Sequence, residues 1–340
     1  MNSRERIGAV LTGTKPDRPG FAMTLSLYGA RLTDCPLPQY FSDPTRYVEG
    51  QVAVHETISP DVLFGPFAFA HLGAAFGGEI KEFADQAPNI RRPACSTAKE
   101  LEEIEVPDPE TDEYLLYHTR AVRELADSFG KDTPVAAILP FPIDLPALIL
   151  GMDGWMETVL FDPEGTEAVI EYIMPFFVDF ANCMYAEGAD FIVTPCAFSS
   201  PAVVTRAIAT SFARPVLEET IRQLKGPVVL HHGGAPVLAN LDLMTGIPSV
   251  IGYVMDAKDD LTKARKIVGP DPVLFSGPDN LSVPALSSGE VKNWCLKVLL
   301  DRREDPHFLL CNSGPDIPLH TPLENILAFQ EAALSFAGTA

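Results

Sequence analysis

The sequence predicts a single (β/α)8 barrel, a closed ring of eight parallel strands surrounded by helices. Eight short apolar runs recur along the 340 residues, and segments with helix signals separate them. The first run is not followed by a GxGxxG turn, which disfavours the alternative, a doubly wound open sheet. Length alone suggests two domains, but barrels of this size form one unit. One domain over residues 1–340 is therefore predicted.

The eight runs are almost continuously hydrophobic. Parallel strands that are covered on both faces have this pattern. In chain order the predicted strands are GFAMTLS (20–26), DVLFG (61–65), PVAAIL (134–139), FIVTP (191–195), PVVLHH (227–232), SVIGY (249–253), PVLFSG (272–277) and HFLLC (307–311).

Two segments depart from the strand–helix repeat. Residues 1–19 precede the first strand and are predicted to form a helix across the bottom of the barrel. The stretch from Phe76 to about Tyr117 is rich in proline and charge. It is typical of a long excursion between the second and third strands, and we expect it to cover an active site.

Helix signals occupy the gaps between the later strands. Asp162-Pro163 combines an N-cap aspartate with a proline in the first turn, and Gly188 ends the same helix. Two further helices follow capping-box patterns, formed by Ser287 with Glu290 and by Thr321 with Glu324.

Composition excludes several classes of partner. The 46 acidic and 25 basic residues give a net charge of −21, which repels nucleic acids and anionic membranes. The most apolar long stretch, PVAAILPFPIDLPALILG, is interrupted by four prolines and Asp144, so it does not predict a membrane span. No secretory signal opens the chain, and the six cysteines lack CxxC spacing. A soluble cytoplasmic protein with free thiols is predicted.

Polar side chains follow six of the eight runs. In a barrel of this class the C-terminal ends of the strands converge on the active site. Buried polar groups need partners, so this rim is either solvated or a site. The candidates in chain order are Tyr28, Arg31, Thr194, Cys196, His231, His232, Tyr253, Asp256, Ser276, Asp279, Asn280, Cys311, Asn312, Ser313 and Asp316.

The histidine pair in VVLHHGGAP can be divided by strand geometry. Adjacent strand residues point to opposite faces, so only one of His231 and His232 can face the barrel mouth. That histidine could move protons, hydrogen-bond a substrate or bind a metal. A tetrahedral zinc site would need three or four ligands, for instance His231, Cys196 and Cys311. Two buried, inert thiols are the favoured alternative.

Two carboxylates, those of Asp256 and Asp279, can each be interpreted in two ways. Asp256 and Asp279 follow the sixth and seventh strands, where they could share a proton or orient an imidazole. Each could instead cap the following helix. The glycines of HHGGA and SGPDN could let the backbone approach a ligand, or only form turns. Neither stretch resembles a phosphate-binding Walker loop.

Several segments resemble the uroporphyrinogen decarboxylase superfamily, which includes the methylcobamide:thiol methyltransferases. The resemblance runs nearly end to end and implies a (β/α)8 barrel with its site in the mouth. It is carried by RERIGAVLTGTKPDRPGF, FGGEIKEFADQAPNIRRP, VVLHHGGA, DAKDDLTKARKIVGPDPVLFSGPDN and CNSGPDIPLHTPLENILAF.

The decarboxylase branch fits poorly. Its members carry a paired-arginine segment after the first strand to hold the substrate's carboxylates, whereas MTLSLYGARLTDCPLPQY offers only Arg31. The histidine that those enzymes carry after the eighth strand is absent. A chain of charge −21 would also repel a polycarboxylate. A carboxy-lyase is therefore the alternative rather than the main prediction.

The thiol methyltransferase branch resembles the chain more closely at both termini. There, a His-x-Cys after the fifth strand and a Cys in a GCDIP-like stretch hold zinc. His231 matches the histidine, but Gly233 and Pro315 replace the cysteines; Cys311 could substitute for one. The resemblance thus implies that His231 faces the mouth, with zinc altered or absent.

The resulting prediction is a corrinoid-dependent methyltransferase. Its methylcobamide would be carried on a partner protein, and its substrate would be a small molecule. His231, Asp256 and Asp279 are the predicted catalytic residues, and His231 with Cys311 the residual metal ligands. A non-catalytic barrel that docks a corrinoid protein is a further alternative, and a homodimer is allowed for. Predicted substrate contacts are Tyr28, Arg31, Cys196, Tyr253, Ser276, Asn280 and Asn312.

Overall fold

Eight parallel strands form the central sheet of the computed structural model, which describes residues 1–337. Each predicted apolar run contains one of them. Together with a separate two-stranded hairpin, the strands are β1 (Phe21–Ala22), β2 (Leu63–Phe64), β3 (Glu79–Lys81), β4 (Asn89–Arg92), β5 (Val135–Ile138), β6 (Phe191–Pro195), β7 (Val228–His231), β8 (Val250–Val254), β9 (Val273–Ser276) and β10 (Phe308–Cys311).

The order of the strands makes the sheet a nearly closed barrel. From one end to the other it runs β1-β10-β9-β8-β7-β6-β5-β2, and every pairing is parallel. Asp61, just before β2, joins the two end strands. Its N–H donates to the Phe21 carbonyl at 2.8 Å, and its carboxylate accepts from the Phe21 N–H at 2.9 Å. The predicted barrel is confirmed, and the open-sheet alternative is excluded.

Helices surround the strands. They are α1 (Ser3–Leu11), α2 (Ser26–Leu32), α3 (Leu37–Tyr40), α4 (Pro44–Ile58), α5 (Ala70–Ala75), α6 (Ala98–Leu101), α7 (Glu113–Phe129), α8 (Pro146–Ile149), α9 (Met152–Phe161), α10 (Pro163–Ala186), α11 (Arg206–Ile208), α12 (Arg214–Arg222), α13 (Leu261–Val268), α14 (Ser288–Asp301) and α15 (Leu323–Ala337). None of the helices in this described range is long and apolar enough to cross a membrane.

Two of the three predicted helix starts are confirmed. Asp162 caps α10 by accepting from the N–H of Gly165, and Ser287 with Glu290 forms the capping box of α14. The third is wrong. The helix α15 begins at Leu323, so Thr321 lies too far upstream to cap it, and the Thr321 hydroxyl has no hydrogen-bond partner among the described residues.

The excursion between β2 and β5 has structure of its own. Its strands β3 and β4 form an antiparallel hairpin that packs on α5, and α6 packs on α10. The last residues of the predicted excursion already belong to α7, which begins at Glu113.

Strand alternation creates two hydrophobic layers. Along β7, Val229 belongs to the cluster inside the barrel, whereas Val228 and Leu230 belong to the cluster between strands and helices. Ile7 and Val10 of α1 join the inner cluster from below, as predicted for the N-terminal helix.

Candidate active site in the barrel mouth

A small cavity lies where the C-terminal ends of the strands converge. Its volume is about 120 Å³, and a smaller space of about 30 Å³ continues from it toward Cys311 and Asn312. The larger cavity is lined by Thr24, Phe67, Phe69, Ile138, Val193, Pro195, His231, Gly233, Gly234, Gly314 and Pro315. No arginine or lysine of the described chain lines either space. The mouth therefore offers a mostly apolar chamber with room for a small, uncharged group.

His231 is the histidine that both spaces share. The strand parity that turns Val229 inward also turns His231 inward, so its predicted orientation is confirmed. Its Nδ1 accepts from the Gly233 N–H at 3.0 Å, which leaves the ring proton on Nε2, 3.2 Å from the Gly314 carbonyl. Burial lowers its pKa to about 3, so the ring is neutral at pH 7.

His232 does not follow the alternation on which its prediction depended. The strand β7 ends at His231, and His232 begins the turn that follows. The two rings stack with centroids 4.3 Å apart. His232 is 1% exposed, and its Nδ1 lies 3.7 Å from a carboxylate oxygen of Asp256. Burial lowers its pKa to about 4.

The loop after β10 holds the Gly314 carbonyl against His231. Asp316 anchors this loop to the chain after β1, because its carboxylate accepts the N–H groups of Ser26 and Leu27 at 2.8 and 2.7 Å. Burial raises the pKa of Asp316 to about 8, although these donors act in the opposite direction. The side chain of Asn312 also supports the loop, accepting from the Thr24 N–H and donating to the Pro315 carbonyl.

Asn280 likewise holds this loop. Its amide donates to the carbonyl of Asp316 at 2.9 Å, and the residue is 1% exposed. Asn280 and Asn312 were both predicted to bind substrate. The structure engages their amide groups in positioning the loop that contacts His231.

Asp144 is a site residue that the sequence reasoning missed. It follows β5, its Oδ1 accepts from the Ala197 N–H at 2.8 Å, and its Oδ2 is buried without a partner in residues 1–337. Burial raises its pKa to about 8. Ala197 packs so closely on Gly233 that an added Cβ there would lie 2.6 Å from the Ala197 backbone. Asp144 thus holds Ala197 in place. Gly233 packs against Ala197, and the Gly233 N–H donates to His231. The signal was present, since PFPID places a lone acid among apolar residues directly after a strand.

Several predicted mouth residues lie elsewhere. The strand β1 ends at Ala22, so Tyr28 and Arg31 lie on α2 rather than at a strand end. Tyr28 is 1% exposed and donates to the Thr321 carbonyl. Arg31 donates to the same carbonyl and to that of Leu319. These side chains tie α2 to the loop before α15 and do not line the cavity.

Two more candidates, Tyr253 and Ser276, face away from the cavity because of their positions in the strand alternation. Tyr253 belongs to the outer cluster, and its hydroxyl donates to the Met244 carbonyl. Ser276 follows the inward-facing Phe275 and is 3% exposed. Cys196 is fully buried in the outer cluster, and burial raises the pKa of its thiol. Of the six residues expected to line the cavity, His231 and Cys311 do so, whereas Tyr28, Cys196, Asp256 and Asp279 do not.

Both candidate carboxylates bond to backbone in short turns. Asp279 accepts from the N–H and the hydroxyl of Ser282 at 3.0 and 2.6 Å. Asp256 accepts from the Lys258 N–H at 2.9 Å, and its other oxygen faces His232. The helices α13 and α14 are capped by Asp260 and Ser287 instead, so the helix-capping interpretation is wrong for both residues, and a catalytic role for either stays a prediction.

The residues around His231 do not fit a zinc site. Both of its ring nitrogens already have backbone partners, and the two positions that matched zinc-binding cysteines, Gly233 and Pro315, offer no side-chain donor. Cys311 is 6% exposed, and burial raises the pKa of its thiol, which opposes the thiolate that a metal requires. Over residues 1–337, no three His, Cys, Asp or Glu side chains are grouped as metal ligands.

The barrel, with its mouth cavity and an inward histidine after β7, defines an α/β-barrel protein with a site at the C-terminal face. The uroporphyrinogen decarboxylase (URO-D) family matches residues 2–336, and the chain belongs to that family.

Its relatives include methyltransferases. The chain is 23% identical over 307 residues to the methylcobamide:CoM methyltransferase MtaA of Methanosarcina barkeri, covering 87% of this chain and 86% of that protein. It is 22% identical over 198 residues to the methylcobamide:CoM methyltransferase MtbA of Methanosarcina mazei, covering 57% and 58%.

Solved structures share the architecture. A methyltransferase from Methanosarcina mazei superposes with a TM-score of 0.85 at 20% identity, covering 99% of both chains. A B12-independent methionine synthase from Shewanella sp. W3-18-1 gives 0.57 at 12% identity, covering 87% and 89%. At these identities the likeness establishes the fold.

Proposed function

We propose that the protein transfers a methyl group between a methylated corrinoid, carried on a partner protein, and a small acceptor or donor. The observation that carries this proposal is the mouth cavity, which is small, mostly apolar and built around the neutral His231. A substrate with many carboxylates would need basic side chains that this lining lacks among the described residues. The methylcobamide-dependent relatives agree with the proposal.

His231 is the residue that we assign to the reacting group. Its Nε2–H points to a backbone carbonyl that a substrate could replace, and its Nδ1 is a lone-pair acceptor held by Gly233. A neutral imidazole with its proton on Nε2 can donate a hydrogen bond to a substrate at this position. Because its pKa is about 3 in the closed site, its first role is to orient the acceptor.

The surrounding residues position this imidazole. Asp144 and Ala197 support Gly233, while Asp316 and Asn312 support the loop that carries Gly314. Because zinc does not fit, the acceptor need not be a thiol that a metal has ionised. We expect methyl transfer that is insensitive to chelators.

The direct experiment compares two reactions of the purified protein. Demethylation of methylcob(III)alamin, followed by its visible spectrum in the presence of small thiols, amines and alcohols, supports methyl transfer. Release of carbon dioxide from uroporphyrinogen, without any corrinoid reaction, would establish the carboxy-lyase instead. Zinc measured by plasma mass spectrometry should be far below one atom per chain. Stoichiometric zinc that is lost in His231→Ala would overturn the metal-free site.

A further inference from the structure

A second cavity lies in the excursion between β2 and β5, apart from the barrel mouth. Its volume is about 290 Å³, near the lower end of the range for small-molecule sites. The hairpin loop after β3, the helix α3, the helix α5 and the first turn of α7 enclose it. Neither the proposed methyl transfer nor the family resemblance uses this space.

Aromatic rings form much of its wall. Phe41, Phe83, Tyr114, Tyr117 and His71 all line the cavity. His71 packs against both tyrosines, with centroids 5.4 Å from Tyr114 and 4.9 Å from Tyr117. Aromatic faces carry a negative potential that attracts cations. Close by, Phe83 already contacts a cation, since the Lys81 ammonium lies 4.7 Å from its ring centroid.

Two carboxylates without ion-pair partners complete the lining. Glu82 and Glu113 border the cavity, and neither forms a salt bridge or side-chain hydrogen bond within the described chain. No arginine or lysine of residues 1–337 is part of this lining. The N-terminal N–H groups of α7, which would attract an anion, are capped by Asp112. The charge of the wall therefore favours a cation.

His71 supplies a buried polar group with no partner in the described part of the protein. It is 4% exposed, its Nδ1 is buried without a hydrogen bond, and no bond to its Nε2 is formed by residues 1–337. Burial lowers its pKa to about 4, so the ring is neutral at pH 7 and does not repel a cation. An unpaired polar side chain at such depth calls for a partner that the chain does not provide.

We infer that this cavity binds a small alkylammonium ion, either quaternary with a hydroxyl group or protonated tertiary, whose O–H or N–H would bond to the unpaired ring of His71. The aromatic rings would hold its methyl groups, and Glu82 and Glu113 would balance its charge. The cavity would admit a ligand of a few carbon atoms and exclude larger amines.

Choline and its neutral isostere 3,3-dimethylbutan-1-ol are matched probes, because they differ chiefly in charge. Isothermal titration of the full chain should show saturable choline binding and at least tenfold weaker binding of the alcohol. The double variant Glu82→Gln/Glu113→Gln should lose roughly tenfold in affinity, as two partly solvated charge contacts allow. Tyr114→Leu should lose about threefold. Added salt should weaken choline binding to the unmodified chain.

Two control variants test whether choline binds in this cavity rather than elsewhere on the acidic surface. Glu110→Gln removes a nearby exposed carboxylate that does not line the cavity, and it should bind choline normally. His231→Ala should also retain choline affinity, which separates this site from the barrel mouth. No saturable choline binding, equal binding of the alcohol, or an equal loss in Glu110→Gln would each overturn the inference.

Discussion

The two ends of the barrel treat a buried carboxylate in opposite ways. At the N-terminal end, Asp61 is fully buried, and both of its oxygens accept hydrogen bonds. Its donors are the Ser3 hydroxyl, the guanidinium groups of Arg6 and Arg18, and the Phe21 N–H. At the mouth, the Oδ2 of Asp144, the Nε2 of His232 and the Thr194 hydroxyl are buried without partners in the described chain.

This difference separates stability from function. At Asp61 the buried charge is fully paired, so it costs the fold little stability, and it also joins the two end strands of the barrel. Buried polar atoms without partners lower stability unless a ligand or water bonds to them. In (β/α)8 barrels the N-terminal face is the stability face and the C-terminal face carries the chemistry. If that division holds here, substitutions at the two ends should differ in which property they damage.

The largest expected effect is on stability at the N-terminal end. Asp61→Ala would leave Arg6 and Arg18 without their shared buried partner and remove the carboxylate's bond to the Phe21 N–H, one of the two contacts that join the end strands. We expect a loss of about 3–5 kcal/mol in the free energy of unfolding, measured by urea denaturation. Asp17→Ala is the matched control, because Asp17 also pairs with Arg6 but its side chain is 41% exposed. A similar loss in both variants would contradict the special role of the buried carboxylate.

The next effect is on activity at the mouth. His231→Ala should lower methyl transfer by roughly 10²-fold, the effect of losing a group that orients a reacting partner. It should cost only about 1–2 kcal/mol of stability, because two hydrogen bonds to glycine backbone are lost. Methyl-transfer rates and thermal melts of the same preparation measure both quantities.

Two neighbouring variants serve as controls for His231. His232→Gln keeps a polar group beside Asp256, and Asp279→Asn keeps an acceptor for Ser282. Both should remain within about tenfold of the unmodified activity, as positions that do not orient the reacting partner should. An unfolded His231→Ala would make that histidine structural, and an inactive Asp279→Asn would restore its predicted catalytic role.

Lowering the pH should destabilise the barrel mouth before it destabilises the N-terminal end of the barrel. The pKa values of His231 and His232 are lowered to about 3 and 4, whereas an unfolded histidine titrates near 6.5. At these two residues the unfolded chain therefore binds more protons between these values, so their contribution to stability falls as the pH drops below about 6.5, whereas the buried carboxyls of Asp144 and Asp316 act in the opposite direction. Arg6 lowers the pKa of Asp17, so the stability that this ion pair contributes at the N-terminal end is lost only below about pH 4.

Hydrogen exchange at pH 5 and pH 7, corrected for intrinsic rates, tests this order. Protection of residues 228–237 should decrease at pH 5, while protection of residues 3–11 should persist. Loss of protection in residues 3–11 before it is lost in residues 228–237 would contradict the predicted order.

The last comparison concerns Asp144. Burial raises its pKa to about 8, so between about pH 4 and pH 8 the unfolded carboxyl is ionised while the folded one keeps its proton. Its contribution to stability therefore decreases as the pH rises through this window. Asp144→Asn cannot ionise, so its stability should increase relative to that of the unmodified chain by about 1.4 kcal/mol per pH unit, roughly 4 kcal/mol between pH 5 and pH 8. Urea denaturation at both pH values gives the difference, and a constant difference would mean that Asp144 is already ionised at pH 5.

The sequence by itself determined the strands, most helix starts and the inward direction of His231. These features depend on local patterns: an apolar run, a cap three residues before the N–H that donates to it and, for His231, a side-chain period of two together with the match to the family's histidine after the fifth strand. Where local context failed, as at Thr321 or Tyr253, the start of a helix or the parity of a strand differed by one or two residues.

Only the tertiary structure decided the partners. His231 meets a carbonyl 83 positions away, Arg6 meets a carboxylate 55 positions away, and Asp144 reaches Ala197 across 53 positions. Ring closure brings these groups together, and no local pattern records which loop faces which across the barrel. The sequence could therefore indicate that His231 faces the mouth. The closed barrel placed the Gly314 carbonyl against its Nε2, so that, with the neighbouring Gly233 N–H on Nδ1, both ring nitrogens have backbone partners.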